Sequence, residues 1–198
     1  MTIDELGKEI ALGLVNTGIE GSFGSVSCST AGDYPSMGCQ QVEGIDGRGD
    51  ELLNSIPGGD KFVGRTYSDI EDSGELNELS ELLESPAGKT AQISILQRDT
   101  SRYAQKCINA GLTDARCVIY AGMWCPTSEY IVGLFIRNRV SRNIADNLRN
   151  LYNIFRDDYA RAADCMDYAE GYENRSDSTF DYVSSLNLSA YGYGEYNG

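Results

Sequence analysis

The 198-residue chain contains no histidine, and its 16 Lys and Arg are outnumbered by 30 Asp and Glu, which gives a net charge of −14. Without an imidazole, a nucleophile cannot be activated by a histidine base, and histidine-containing zinc sites cannot form. Ser-His-Asp and Cys-His catalysis are therefore excluded. The shortage of positive charge also disfavours nucleic-acid binding, because an acidic surface repels phosphate backbones.

Long hydrophobic runs are lacking as well. No stretch of about 18 apolar residues is present to span a bilayer, and Asp4 and Glu5 occupy the region where a signal peptide would be basic. We expect synthesis in the cytoplasm without encoded export, and no insertion into membranes.

Cysteine is present but has no motif spacing. None of the six cysteines forms a C-x-x-C pair, so neither structural zinc nor a thioredoxin-like site is expected. For a protein made without a signal peptide we expect buried, reduced thiols. Cys28 and Cys39 are the first pair to test for a disulfide if the protein acts outside the cell.

Hydrophobic periodicity predicts a mainly α fold. Thr2 and Glu5 form a capping box before a helix over about 3–20. Further helices are predicted at 76–83, from Pro86 to Gly111, from about 113 through Tyr120, and around 131–135. A long, core-facing helix is predicted from Ser141 to about Ala169, with an apolar stripe running from Ile144 to Met166.

Two segments lack this periodicity. Residues 28–74 are rich in Gly, Pro, Asp and Ser, which predicts loops with a small hairpin and one helical turn. Residues 171–198 hold five of the 13 tyrosines among Gly, Ser and Asn, which predicts an irregular tail or linker. The sequence thus predicts one domain over 1–170, followed by a tail over 171–198.

Glu20 is a candidate general acid because it closes the first predicted helix. On the helical wheel it lies at the shoulder of the apolar stripe that contains Ile3, Leu6 and Ile10. A carboxyl group there would be partly desolvated, which disfavours its charged form and raises its pKa. Such a group can protonate a leaving oxygen near neutral pH.

The order of residues around Glu20 resembles the signature of soluble lytic transglycosylases and the wider lysozyme-like superfamily. In that family a Glu closing a helix is followed by a small residue, Ser and Phe, then by a stretch ending in Ala or Val with Ser, then by a Gly-x-x-Gln segment. Those places are taken here by Glu20-Gly21-Ser22-Phe23, Ser25-Val26-Ser27 and Gly38-Cys39-Gln40.

A second stretch is similar to a run in phage tail lysozyme domains. It contains Gln40-Gln41-Val42-Glu43-Gly44, Gly47-Arg48-Gly49 and Leu52-Leu53. The resemblance covers roughly residues 10–56. The chain departs from the family at Gly21, where a Ser is usual, and after the motif glutamine, where an aromatic residue is missing.

The resemblance implies a lysozyme-like α+β fold and a peptidoglycan-cleaving glycosidase, such as the catalytic domain of a phage endolysin or tail-associated lysin. Glu20 would protonate the glycosidic oxygen. In a hydrolytic lysozyme, Asp33 or Glu43 would activate water or stabilise the cation. In transglycosylase-type members the muramyl 6-hydroxyl attacks instead, and the sequence leaves both outcomes open. Neither a cofactor nor a metal is expected.

Substrate contacts are expected from the same segments. Ser27, Gln40 and Gln41 would form hydrogen bonds with the N-acetyl and hydroxyl groups of the sugar, and Tyr34 and Met37 would form an apolar wall. Farther along the chain, Tyr120 and Trp124 would provide an aromatic platform for a pyranose face. Tyr120 lies in Ile119-Tyr120-Ala121-Gly122, which is only partly similar to the Ala-Tyr-Asn-Ala-Gly segment of the family.

The expected partner is the glycan strand of bacterial peptidoglycan, and a separate wall-binding domain or subunit would fit the tail. The charge of −14 opposes this hypothesis, because anionic wall polymers slow the encounter at low salt. Two alternatives remain open. One is a non-enzymatic acidic inhibitor that imitates nucleic acid, with the cluster Glu71, Asp72, Glu75, Glu78, Glu81 and Glu84. The other is a chitinase-like glycosidase.

Overall fold

A computed structural model of the chain describes residues 1–19, 21–29, 32–44, 47–140 and 147–196. The protein is mainly helical with one small antiparallel sheet, as the sequence predicted. The helices are α1 (Ile3–Thr17), α2 (Arg48–Asn54), α3 (Tyr67–Asp72), α4 (Leu76–Glu84), α5 (Pro86–Asn109), α6 (Ala115–Gly122), α7 (Glu129–Val140), α8 (Leu148–Ala162) and α9 (Ala169–Ser185). The strands are β1 (Val26–Cys28), β2 (Pro35–Met37) and β3 (Val42–Glu43). Short 3-10 turns cover Gly38–Gln40, Gly59–Phe62, Met166–Tyr168 and Ser189–Tyr191.

Residue contacts divide the chain into two compact units. The helical unit consists of Met1–Thr17 and Gln97–Gly198, and the sheet unit consists of Gly18–Leu96. Among the described residues, no helix combines the length and apolar character needed to cross a membrane.

Helix α1 begins as predicted and ends early. The Thr2 N–H donates to Glu5 Oε2 at 2.7 Å, and the Glu5 N–H donates to Thr2 Oγ1 at 3.2 Å, which is a reciprocal capping box. The helix ends at Thr17 rather than near residue 20, because Gly18 adopts a left-handed conformation with φ 63°.

The long helix predicted from Ser141 to about Ala169 is wrong in extent. Helix α8 ends at Ala162, and Asp164 takes a left-handed φ of 55°, which turns the chain. Met166, expected in the core, is 56% exposed. The buried face of α8 does include the predicted Leu148, Leu151, Phe155 and Tyr159. Residues 141–146, with the predicted Ile144, lie outside the described residues.

The irregular tail predicted over 171–198 is wrong for its first half, which belongs to α9. The buried face of this helix consists of Ser176, Thr179, Phe180 and Val183. Their spacing is helical, but two of the four carry hydroxyl groups and break the apolar pattern. Ser176 is buried because its Oγ lies 2.6 Å from the hydroxyl of Tyr120.

The sheet unit contains more regular structure than the loops, hairpin and single helical turn predicted for 28–74. The strand order is β1-β2-β3, and both pairings are antiparallel. Helices α2, α3 and α4 and the start of α5 complete the unit. One hydrophobic cluster forms its core and consists of Met37, Val42, Leu52, Leu53, Ile56, Phe62, Ile70, Leu79, Leu83, Ala91 and Ile95.

Candidate functional site

The three strands carry a row of polar side chains on the face opposite the core. Ser27 in β1 pairs with Ser36 in β2, and Ser36 pairs with Glu43 in β3. Residues directly opposite each other on adjacent strands share a face. The other row packs on the hydrophobic cluster and consists of Val26, Met37 and Val42. The polar row therefore faces away from the core.

Gln41 joins this row through its side chain. It follows the 3-10 turn in a left-handed conformation with φ 50°, and its N–H donates to Gly38 O at 3.1 Å. The Ser27 hydroxyl donates to Gln41 Oε1 at 2.9 Å, while Gln41 Nε2 donates to Gly38 O at 2.9 Å. The hydroxyl of Ser36 donates to Gln41 O at 3.2 Å. The Gln41 amide is thus held in one orientation.

The loop that follows Glu20 in the sequence reaches the same place. A Cβ built on Gly21 would lie 3.6 Å from Gln41 Nε2 and 3.6 Å from Gly38 O. The Gly38 N–H donates to Ser25 O at 2.8 Å, and Ser22 and Ser25 place their hydroxyl oxygens 2.9 Å apart. Glu20 itself lies outside the described residues.

The two predicted second carboxylates differ in their surroundings. Asp33 Oδ1 accepts hydrogen bonds from the N–H and the hydroxyl of Ser68, both at 3.0 Å. Asp33 O also accepts from the Tyr67 N–H at 3.2 Å. Asp33 therefore satisfies N–H groups at the start of α3. Glu43 is half-buried in the polar row, on the face that Ser27 occupies.

The predicted apolar wall is wrong for Met37. Its side chain is 1% exposed and belongs to the core, because strand alternation points it to the opposite face from Ser27. Tyr34 is 36% exposed and lies against Gly44, so it remains a candidate for contact with a ligand. Gln40 is half-buried and borders a small void beside Met37 and Leu52.

The predicted aromatic platform is also wrong. Tyr120 and Trp124 both have 0% exposure and lie in the core of the helical unit. The Phe155 ring lies 5.5 Å from the Tyr120 ring and 4.9 Å from the Trp124 ring, measured between centroids. Burial raises the pKa of Tyr120. Neither ring presents a face to a ligand in this structure.

All six cysteines are free. Cys39 is buried, and its burial raises the pKa of the thiol to about 11. Cys28 is exposed, and its Sγ donates to Gly32 O at 3.6 Å. The first disulfide to test, Cys28 with Cys39, is thus not present. Among the described residues, no group of three or more Cys, Asp and Glu side chains is arranged to hold a metal ion.

Two polar residues near the site were missed by the sequence reasoning, Ser36 and Gln92. The sequence contains no pattern that predicts Ser36 as a site residue. Strands of two or three residues are too short to show an alternation of polar and apolar residues. A pattern does exist for Gln92. It lies on the apolar stripe of α5, between Gly88 and Ile95, where a polar side chain needs a partner in the core.

No protein-family model, curated protein or solved structure matches this chain.

Proposed function

We propose that the protein is a peptidoglycan-cleaving glycosidase of the lysozyme-like superfamily that lyses bacterial cell walls, with Glu20 as its general acid. The observation that carries the proposal is a convergence in space. Gly21, which follows Glu20 in the sequence, packs beside Gln41, and Gln41 is bonded to Ser27. These residues come from separate segments of the stretch over 10–56 that carries the resemblance, although Gly21 and Gln41 are themselves positions where the chain departs from the family.

The chemistry requires one protonated carboxyl group beside the scissile bond. Glu20 donates its proton to the glycosidic oxygen as the bond from that oxygen to the anomeric carbon breaks and positive charge develops on the sugar ring. Ser27 and Gln41 bind the polar groups of the sugar. Their mutual hydrogen bond orients them before substrate arrives, which lowers the entropic cost of positioning the glycan.

Glu43 is the better candidate for a second carboxylate. It shares the polar face with Ser27, whereas the Asp33 carboxylate already accepts two hydrogen bonds from Ser68. In hydrolysis, Glu43 takes a proton from the attacking water and releases it to solvent, and Glu20 regains a proton from solvent before the next cycle. If Glu43 has no such role, the muramyl 6-hydroxyl attacks the anomeric carbon and gives its proton to the Glu20 carboxylate, and the product has an anhydromuramic end.

The surface charges favour this proposal over the acidic inhibitor. Lys61 Nζ lies 2.6 Å from both Glu75 Oε1 and Glu78 Oε2, and Arg65 lies 2.6 Å from Glu75 Oε2. Hydrogen bonds from Lys61, Ser73 and Arg65 lower the pKa of Glu75 to about 2. Two members of the predicted acidic cluster are therefore neutralised by this chain's own cations and do not imitate free phosphates.

The proposal is tested by the loss of turbidity of purified walls from several bacterial species. The Glu20→Gln variant removes the proton donor at constant size, and we expect a fall in rate of about 100-fold or more. Glu81→Gln is the matched control, because Glu81 is an exposed glutamate of the same unit and should leave the rate unchanged. Equal lysis by Glu20→Gln and the wild type would show that the acid is assigned wrongly.

Two further measurements distinguish hydrolysis from transglycosylation and a wall-cleaving enzyme from a chitinase-like one. Mass spectrometry of the released fragments distinguishes an anhydromuramic end from a hydrated reducing end, and Glu43→Gln should slow only a reaction that yields the hydrated end. Chitin serves as a second substrate. Activity on chitin without activity on walls would replace the proposal by the chitinase-like alternative, and inactivity on both would contradict a glycosidase.

A further inference from the structure

Gln92 makes three hydrogen bonds inside the sheet unit. Its side chain is buried, with 4% exposure. Gln92 Oε1 accepts from the Cys39 N–H at 3.0 Å, and Nε2 donates to Phe23 O at 3.3 Å and to Leu83 O at 3.0 Å. Two carbonyl groups at the nitrogen and one N–H at the oxygen allow only one orientation of the amide.

The three partners of Gln92 belong to segments that are far apart in the sequence. Phe23 lies in the loop that follows Glu20, Cys39 lies in the 3-10 turn that precedes Gln41, and Leu83 lies in α4. One amide therefore joins the loop after the proposed acid to the turn that carries the sugar-binding glutamine. Both are tied to a helix of the core.

Neighbouring contacts hold the same loop from the same side. The Ser80 hydroxyl donates to Gly24 O at 2.8 Å, and the Lys89 ammonium lies 5.5 Å from the centre of the Phe23 ring. Gly38 allows the close approach of Gln92, because a Cβ at position 38 would collide with Gln92 Oε1. The loop and the turn are thus both built around the Gln92 amide.

We infer that Gln92 is a positioning residue for the proposed reaction, which fixes the loop after Glu20 relative to Gln41 and Ser27 without touching the substrate. The inference rests on the proposed function. A general acid has to come within about 2.6–3.2 Å of the oxygen that it protonates. A displacement of about 1 Å at a positioning residue is enough to lower a rate about 100-fold.

The test compares Gln92→Met, which keeps the length of the side chain and removes all three hydrogen bonds, with the wild type. Gln105→Met is the matched control, because Gln105 is an exposed glutamine on the same helix. At a temperature where circular dichroism shows all variants folded, we expect wall lysis by Gln92→Met to fall by about 10- to 100-fold. Gln105→Met should match the wild type.

Two readouts distinguish positioning from a general loss of stability. The pH of maximal lysis should shift in Gln92→Met while the circular-dichroism signal stays that of the folded protein across the pH range, whereas partial unfolding lowers that signal at each pH where the rate falls. Hydrogen exchange should accelerate about tenfold or more in peptides covering 21–25 and 38–41. It should stay unchanged in α8.

The outcomes separate this inference from the proposed function. If Glu20→Gln abolishes lysis while Gln92→Met keeps the rate, the pH optimum and the exchange pattern of the wild type, the inference is overturned and the proposed function stands. A wild-type protein that is inactive on every wall overturns both. The inference is supported if Gln92→Met loses lysis and its hydrogen exchange is faster only in residues 21–25 and 38–41.

Discussion

Gly38 shows how a single residue determines the geometry of the sheet unit. Its φ is 73°, in the left-handed region that favours glycine, and a Cβ there would also collide with Gln92 Oε1. Two independent requirements therefore meet at one position. The first concerns the backbone, and the second concerns the space that the buried amide occupies.

The two requirements can be measured separately with a second glycine. Gly64 has φ 72°, and a Cβ built there meets nothing within 4 Å. We expect Gly64→Ala to lower the free energy of unfolding by about 1–2 kcal/mol, the cost of a left-handed alanine. Gly38→Ala should lose about 1–3 kcal/mol more, because the buried amide has to move. Urea unfolding measures both variants, and equal losses would contradict the close approach.

The residues of the site divide into those that local order could predict and those that it could not. Ser27 and Gln41 were predicted because they belong to short motif segments close to one another in the sequence. Met37, Tyr120 and Trp124 were predicted as contacts but are buried. Their residue types suit a binding surface and a core equally well, and the choice is made by tertiary packing that the sequence pattern does not contain.

At the scale of elements, α9 shows why a helix escaped prediction. Its buried face has the spacing of an amphipathic helix, but Ser176 and Thr179 occupy two of the four positions. The helices with leucine stripes, α1 and α4, were found because their buried positions are apolar. The sheet was found only as a hairpin, because the third strand has two residues. Apolar periodicity thus misses elements whose buried positions are filled by side chains that carry hydroxyl groups.

The pairing of α9 with α6 can be tested at Ser176 and Tyr120, whose hydroxyl oxygens lie 2.6 Å apart. We expect Ser176→Ala to lower the free energy of unfolding by about 1–3 kcal/mol, because it leaves a buried hydroxyl without this partner. The double variant with Tyr120→Phe should lose less than the sum of the two single changes.

Thermal or urea unfolding of the wild type, the two single variants and the double variant completes this double-mutant cycle. Ser184→Ala is the matched control, since Ser184 is a half-buried serine of the same helix whose hydroxyl donates to the backbone oxygen of Asp181 at 3.1 Å. Strictly additive losses would show that the two hydroxyl groups do not depend on each other.

At the scale of the whole molecule, the charge of −14 opposes the encounter with a bacterial wall that the proposed function requires. Pairs such as Lys61 with Glu75 reduce the charge locally and leave the net value as it is. Anionic wall polymers repel such a surface, and this repulsion acts over the Debye length. The rate of lysis should therefore depend on salt in the opposite sense to that of a cationic lysozyme.

We expect the rate of wall lysis at low protein concentration to rise about tenfold as the salt concentration increases from 0.01 to 0.15 M. Over that range the Debye length falls from about 30 Å to about 8 Å, so the repulsion is screened. Turbidity measurements across a salt series check this result. A neutral, soluble chitooligosaccharide is the control substrate and should show no such rise. A rate that falls with salt would indicate a cationic contact surface instead.

Cys28 offers a native attachment point next to Ser27, one of the residues that the proposed function assigns to sugar binding. Its thiol is exposed and follows Ser27 in β1, whereas Cys39, Cys107, Cys117 and Cys125 are buried, and Cys165 is half-exposed. A maleimide fluorophore should couple to Cys28 before it reaches the buried thiols. Such a dye sits on the edge of the sheet, where its emission reports the arrival of a glycan chain without any engineered cysteine.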